Sequence, residues 1–116
     1  MDITDDKAEQ RETWMHQFNK LMGSQWIKDF DPEFILVSGG FDAHGHDAGV
    51  CGVGGLMSED YGTIMRTIMA IANQGSCNGR VVVAMEGGYG VEGGPLGTLA
   101  RSALAMVSPH DVKDEE

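Results

Sequence analysis

Phe41-Asp42-Ala43-His44-Gly45-His46-Asp47 sets four side chains able to hold a metal ion, Asp42, His44, His46 and Asp47, within six positions. Carboxylate oxygen and imidazole nitrogen suit zinc and other borderline divalent ions. The segment follows the apolar run Phe34-Ile35-Leu36-Val37 and the breaker Ser38-Gly39-Gly40. The end of a buried strand is the rigid mounting that such a site requires. The same residues also make ordinary polar turns, in which Asp42 or Asp47 accepts backbone N–H bonds. Residue type and spacing leave both readings open, and they do not choose among the four donors.

The elements that must position this loop can be read from periodicity. From Lys7 to about Lys28, Trp14, Met15, Phe18, Leu21, Met22 and Trp26 recur at three and four, which predicts one amphipathic helix weakened at Gly23 and Ser24. Phe34–Val37 and Val81–Met85 are short apolar runs bounded by breakers, the pattern of strands buried on both faces of a parallel sheet. Between them Tyr61, Ile64, Met65, Ile68, Met69 and Ala72 form a helical stripe, with Ser58 as the expected N-cap and Asn73 and Gly75 as the stop. Pro95 opens a last helix whose apolar side is expected at Leu96, Leu99, Ala103, Leu104 and Val107. The fold class is thus α/β, a parallel βαβα unit with both glycine-rich loops at the carboxyl ends of the strands, where open α/β sheets bind ligands. Two strands are too few for an independent parallel sheet, so the unit reads as a slice of a larger one, or as a chain completed by a complementary chain or by homo-oligomerisation.

Composition narrows the functions. The 116 residues carry 8 basic and 18 acidic side chains, a net charge of -10, which argues against nucleic acid as a partner. Apolar runs fall far short of the roughly 20 residues of a membrane span. Asp2, Asp5 and Asp6 stand where a signal peptide would be basic, so the expected location is cytoplasmic. Cys51 and Cys77 stand far apart with no second pair, which suits neither a zinc knuckle nor a disulfide scaffold. The expected organisation is an acidic leader at 1–6, one α/β domain over 7–108 and an acidic tail at 109–116.

Pro32-Glu33-Phe34-Ile35-Leu36-Val37-Ser38-Gly39-Gly40-Phe41-Asp42-Ala43-His44, followed by Asp47, resembles the zinc-dependent histone deacetylase superfamily. The likeness is greatest to its class II histone deacetylase and acetylpolyamine amidohydrolase branch. Gly79-Arg80-Val81-Val82-Val83 with Glu86-Gly87-Gly88-Tyr89 resembles a later strand and tyrosine loop of the same family, in the same order. The resemblance implies part of an arginase-like three-layer sheet, the C-terminal portion of the catalytic domain. It implies zinc as cofactor and acetyl-lysine or an acetylated amine as substrate. It places Asp47 at a zinc-ligand aspartate and Tyr89 at the tyrosine that donates to the substrate carbonyl and the tetrahedral oxyanion. By the same pattern Asp42 and His44 support the ligand loop, His46 is variable, and Gly40, Glu86, Gly87 and Gly88 shape the turns. Other zinc ligands and the paired catalytic histidines have no counterpart before Trp14, and neither His16 nor His110 replaces them, so the isolated chain is expected to be inactive.

Three other readings compete. His44, His46 and Asp47 could form a noncatalytic metal-binding module for zinc or nickel, with Asp42 a further possible ligand. The deacetylase scaffold could serve protein interaction through Trp14, Phe18, Met22 and Trp26. Gly88-Tyr89-Gly90-Val91-Glu92-Gly93 formally matches a nucleotide-binding GxGxxG, although Glu86 and Glu92 would repel phosphate.

Overall fold

The computed structural model describes residues 5–47 and 54–108. Cys51, His110, residues 1–4 and the tail at 109–116 lie outside the described residues. In chain order the elements are α1 (Asp5–Met22), α2 (Gln25–Phe30), β1 (Ile35–Gly39), α3 (Ser58–Ala72), β2 (Val81–Met85) and α4 (Thr98–Val107), with short 3-10 turns at Phe41–Ala43, Gly75–Cys77 and Gly94–Leu96. Among the described residues no helix is long and apolar enough to cross a membrane.

β1 and β2 pair in parallel, with Ile35 opposite Val81 and Gly39 opposite Met85. The ladder is closed at both ends, because Ile35 N–H donates to the Arg80 carbonyl at 2.9 Å and Glu86 N–H to the Gly39 carbonyl at 3.0 Å. Side chains alternate across a strand. Ile35, Val37, Val81 and Val83 therefore share one face, and they pack on a core of Phe41, Leu56, Tyr61, Ile64, Met65, Ile68, Ala105 and Met106. On the other face Leu36 is 75 % exposed and Val82 49 %. Burial on both faces, expected from the continuous apolar runs, is thus met on one face only. Helices cover that face alone, and the third layer implied by the family resemblance is not among the described residues.

Several boundaries differ from expectation. The first helix already includes Asp5 and Asp6, expected in the leader, and it breaks at Gly23-Ser24 instead of running to Lys28. Ser24 is extended and folds its hydroxyl back on the Leu21 carbonyl at 2.6 Å, which stops one helix and admits the next. At α3 the N-cap is Met57, not Ser58; its N–H donates to Asp60 Oδ2 at 2.8 Å, and Ser58 faces inward instead. Pro95 falls in a 3-10 turn, and α4 starts at Thr98. The face of α4 that is buried carries Ser102, Ala105 and Met106, whereas Leu96, Leu104 and Val107 are exposed. Leu99 and Ala103, two of the five expected positions, do pack against the core, so the stripe holds in part.

Long-range polar contacts hold α1 and the strand entries. Arg11 reaches from α1 to Asp60 at 2.6 and 2.9 Å and to Glu59 at 3.1 Å. Asp31, left-handed at φ 46°, accepts from Ser76 N–H at 2.9 Å and from its hydroxyl at 2.5 Å. These bonds favour the carboxylate and hold the Asp31 carboxyl below its ordinary 3.8. A lowered folded value stabilises above the unfolded value, and the contribution disappears as pH falls through the folded one. The stability lost in Asp31→Ala should therefore be full at neutral pH and shrink below pH 3.8. Urea unfolding across that range checks it; a difference independent of pH would contradict the sign.

Candidate active site

The carboxyl ends of β1 and β2 each release a loop onto the same edge. After Gly39 the chain enters the 3-10 turn Phe41–Ala43, with Phe41 buried as its anchor. Tyr61 on α3 packs against Phe41 at 5.1 Å between ring centroids and donates its hydroxyl to the Gly40 carbonyl at 2.9 Å. Burial first, and then the negative charges of Asp42, Asp47 and Asp60, push the Tyr61 phenol far above its ordinary value. It therefore stays a donor and fixes the start of the turn that carries Asp42.

Asp42 is half-buried beside the second loop. A Cβ at Gly87 would lie 2.8 Å from Asp42 Cγ, so glycine is needed there, and Gly87 also sits at φ 77°. Gly88, at φ 118°, allows equally close passage, because a Cβ there would meet Leu99 Cδ1 at 2.6 Å and Phe41 Cβ at 2.9 Å. Among the described residues no hydrogen bond ties up the Asp42 carboxylate. Glu86 accepts from the Ser38 hydroxyl at 3.1 Å, joining the two strand ends.

His44 is 2 % exposed and part of the scaffold. Its Nδ1 accepts from His46 N–H at 3.0 Å, which leaves the proton on Nε2, and Nε2 meets Ser58 Oγ at 3.3 Å. Ser58 Oγ lies 3.3 Å from Ser102 Oγ, linking loop, α3 and α4 through one buried polar chain. Both ring nitrogens have protein partners here, so in this structure His44 braces the loop. The loop is also pinned by backbone. Leu56 N–H donates to the Ala43 carbonyl at 3.0 Å, Gly45 N–H to the Leu56 carbonyl at 2.7 Å, and Lys7 Nζ to the Gly45 carbonyl at 2.7 Å.

Asp47 does something other than face an open cavity. Its Oδ1 accepts from Tyr89 N–H at 2.7 Å and from Gly90 N–H at 3.1 Å. Tyr89 itself is 55 % exposed at the rim. Asp47 and Tyr89 are thus brought together, but through the tyrosine's backbone. The same two bonds weaken the nucleotide reading, since amides that a phosphate would need already face a carboxylate. His16 is exposed on α1. Among the described residues no three His, Cys, Asp or Glu side chains converge as a metal site. Asp42 suits one ligand position by chemistry and by its open lone pairs; the donor set as a whole does not fit a zinc ion.

Sequence reasoning missed Tyr61, Lys7 and the Ser58–Ser102 pair. Tyr61 was visible only as one apolar position in a stripe. Ser102 did carry a signal, a small polar residue in the middle of a helix otherwise rich in Leu, Ala and Met.

The family profile of the histone deacetylase domain matches residues 1–107. This chain belongs to the histone deacetylase family. The deacetylase-family chain is similar to type-2 histone deacetylase 1 of Dictyostelium discoideum, 40 % identical over 68 % of the chain and 5 % of that relative. It is similar to histone deacetylase HDA1 of Candida albicans, 34 % identical over 80 % of the chain and 10 % of the relative. A probable deacetylase of Archaeoglobus fulgidus is 39 % identical over 58 % of the chain and 18 % of its own length. The chain therefore spans less than a fifth of each of these relatives. No solved structure matches it.

In this deacetylase-family chain the Tyr61 hydroxyl is the part of the support that can be removed with least change of shape. Tyr61→Phe should cost about 1 kcal/mol of stability, the usual net value of one hydrogen bond. Chemical denaturation measures it, and a neutral result would show that water replaces the phenol at the Gly40 carbonyl.

Proposed function

We propose that this chain forms part of the catalytic domain of a zinc-dependent deacetylase that hydrolyses acetyl-lysine or acetylated amines. Its contribution there is one carboxylate and the oxyanion-stabilising tyrosine. The observation that carries the reading is the meeting of two loops at one sheet edge, where the Tyr89 loop passes directly against Asp42. Assignment to the class II branch is supported by the name of the Dictyostelium relative, a type-2 histone deacetylase.

Asp42 is the better candidate than Asp47 for a metal-facing carboxylate. Asp47 Oδ1 is engaged with two amides, while Asp42 keeps its acceptor capacity at the mouth of the edge. The described donors are too few for zinc, so the remaining ligands and the proton-transferring histidines come from polypeptide beyond these residues. Cover for Leu36 and Val82 comes from the same source, whether as the rest of one chain, a complementary chain or a second copy. Within the part present, the Tyr89 phenol is the group that can donate to an acetamide oxygen as negative charge develops on it. A donor aimed at developing charge of this kind is often the largest single electrostatic contribution to such a reaction.

The isolated chain should release no acetate from an acetyl-lysine peptide above a zinc-only blank. The gene product that contains it should do so in a zinc-dependent reaction. Tyr89→Phe should lower that rate by about 100-fold or more, the usual effect of removing one oxyanion donor. Asp42→Asn should weaken zinc retention, read by chelator competition. Full turnover in Tyr89→Phe would remove the basis of the assignment.

A further inference from the structure

Asp47 stands 42 positions before Tyr89, yet one of its oxygens accepts both N–H groups that flank the tyrosine's α-carbon, from Tyr89 at 2.7 Å and from Gly90 at 3.1 Å. We propose that Asp47 is the positioning residue for Tyr89, clamping the backbone of the 87–90 turn so that the phenol is presented in one orientation. This rests on the reading of Tyr89 as the oxyanion donor and adds to it the device that aims it.

The turn depends on ties from outside itself, because its own backbone is pliable. Gly87 and Gly88 occupy φ 77° and 118°, and glycines in such conformations have the largest conformational entropy to lose on ordering. Tyr89 is exposed, so its ring does not anchor the loop by packing. Val91 N–H returns to the Tyr89 carbonyl at 2.9 Å, a bond within the turn that fixes shape but not placement. Placement comes from fixed points outside: Leu99 N–H at the start of α4 donates to the Gly90 carbonyl at 3.2 Å and holds the far end of the turn, and Asp47 holds the tyrosine's own amides. The Asp47 N–H in turn donates to the His44 carbonyl at 3.0 Å, and His44 is buried and bonded to Ser58 on α3. The path from α3 through His44 to Asp47 and on to the Tyr89 amide is continuous, and each step is a short polar contact. Two amides converging on one ionised oxygen are stronger than neutral hydrogen bonds, which suits a loop this rich in glycine. The arrangement also explains how a carboxylate at a metal-site edge can act on the reaction without touching the metal.

The test uses the isotopically labelled chain and the gene product that contains it. In the wild-type chain, a coupling across the hydrogen bond from Tyr89 15N to Asp47 13Cγ is expected; its absence in a folded sample would overturn the clamp. Asp47→Ala should speed amide exchange at Tyr89 and Gly90 by about tenfold or more, leaving Leu56 unchanged. Asp47→Asn, which keeps an acceptor of the same shape, should restore most of the protection. Equal exchange in Asp47→Ala and wild type, or an Asn variant no better than Ala, would overturn the proposal. If the Ala variant does not fold, the wild-type coupling decides. In the gene product, Asp47→Ala should lower kcat with KM nearly unchanged, and Asn should recover kcat; a ligand role would instead lose zinc in both variants. Tyr89→Phe separates the two ideas: intact turnover there would defeat the oxyanion reading, while the amide measurements would still judge the clamp.

Discussion

Parallel pairing of Ile35–Gly39 with Val81–Met85 is the constraint from which the site follows. Strands joined by a helix and running the same way must release their loops at one end, so Asp42 and Tyr89 reach the same edge although nearly half the chain separates them. Register matters as much as direction. With Gly39 opposite Met85, the Glu86 N–H closes on the Gly39 carbonyl, and the two loops leave the sheet level with one another. A shift of one residue would turn every strand side chain to the opposite face and carry Asp42 away from Gly87.

Above that edge, rigidity is supplied by polar contacts buried among apolar ones. His44, Ser58 and Ser102 link the metal-type loop to two helices, and Tyr61 holds the Gly40 carbonyl. Each of these groups is satisfied by another, which is the condition for burying polar atoms without a large penalty. His44 thus braces the fold, and the open lone pairs of Asp42 are a feature that residue type alone could not reveal.

The strands, their parallel direction and the helix between them were legible because periodicity and breakers report burial directly. The break at Gly23-Ser24 was legible as a weakness but not as a stop, since a serine's choice between helix and extended backbone depends on its neighbours. The start of α4 was misread for a related reason: Pro95 marks a helix start by local chemistry, and here that chemistry is satisfied by a 3-10 turn. At the site, motif order pointed to two loops that the structure brings to one edge. The resemblance set Asp47 at a ligand position and Asp42 in support; the contacts that distinguish these two short acids lie with partners more than 40 positions away. Polar contacts of that range leave no periodic trace.

The bare ribbon of Leu36 and Val82 has a practical outcome for handling this polypeptide. A pair of parallel strands with an oily outer surface and unsheltered margins is a template for self-stacking. Left uncovered, this surface favours association between copies over a dispersed sample. Replacing Leu36 or Val82 with a charged residue would make the sample more tractable, but it would spoil the surface on which the neighbouring layer has to settle.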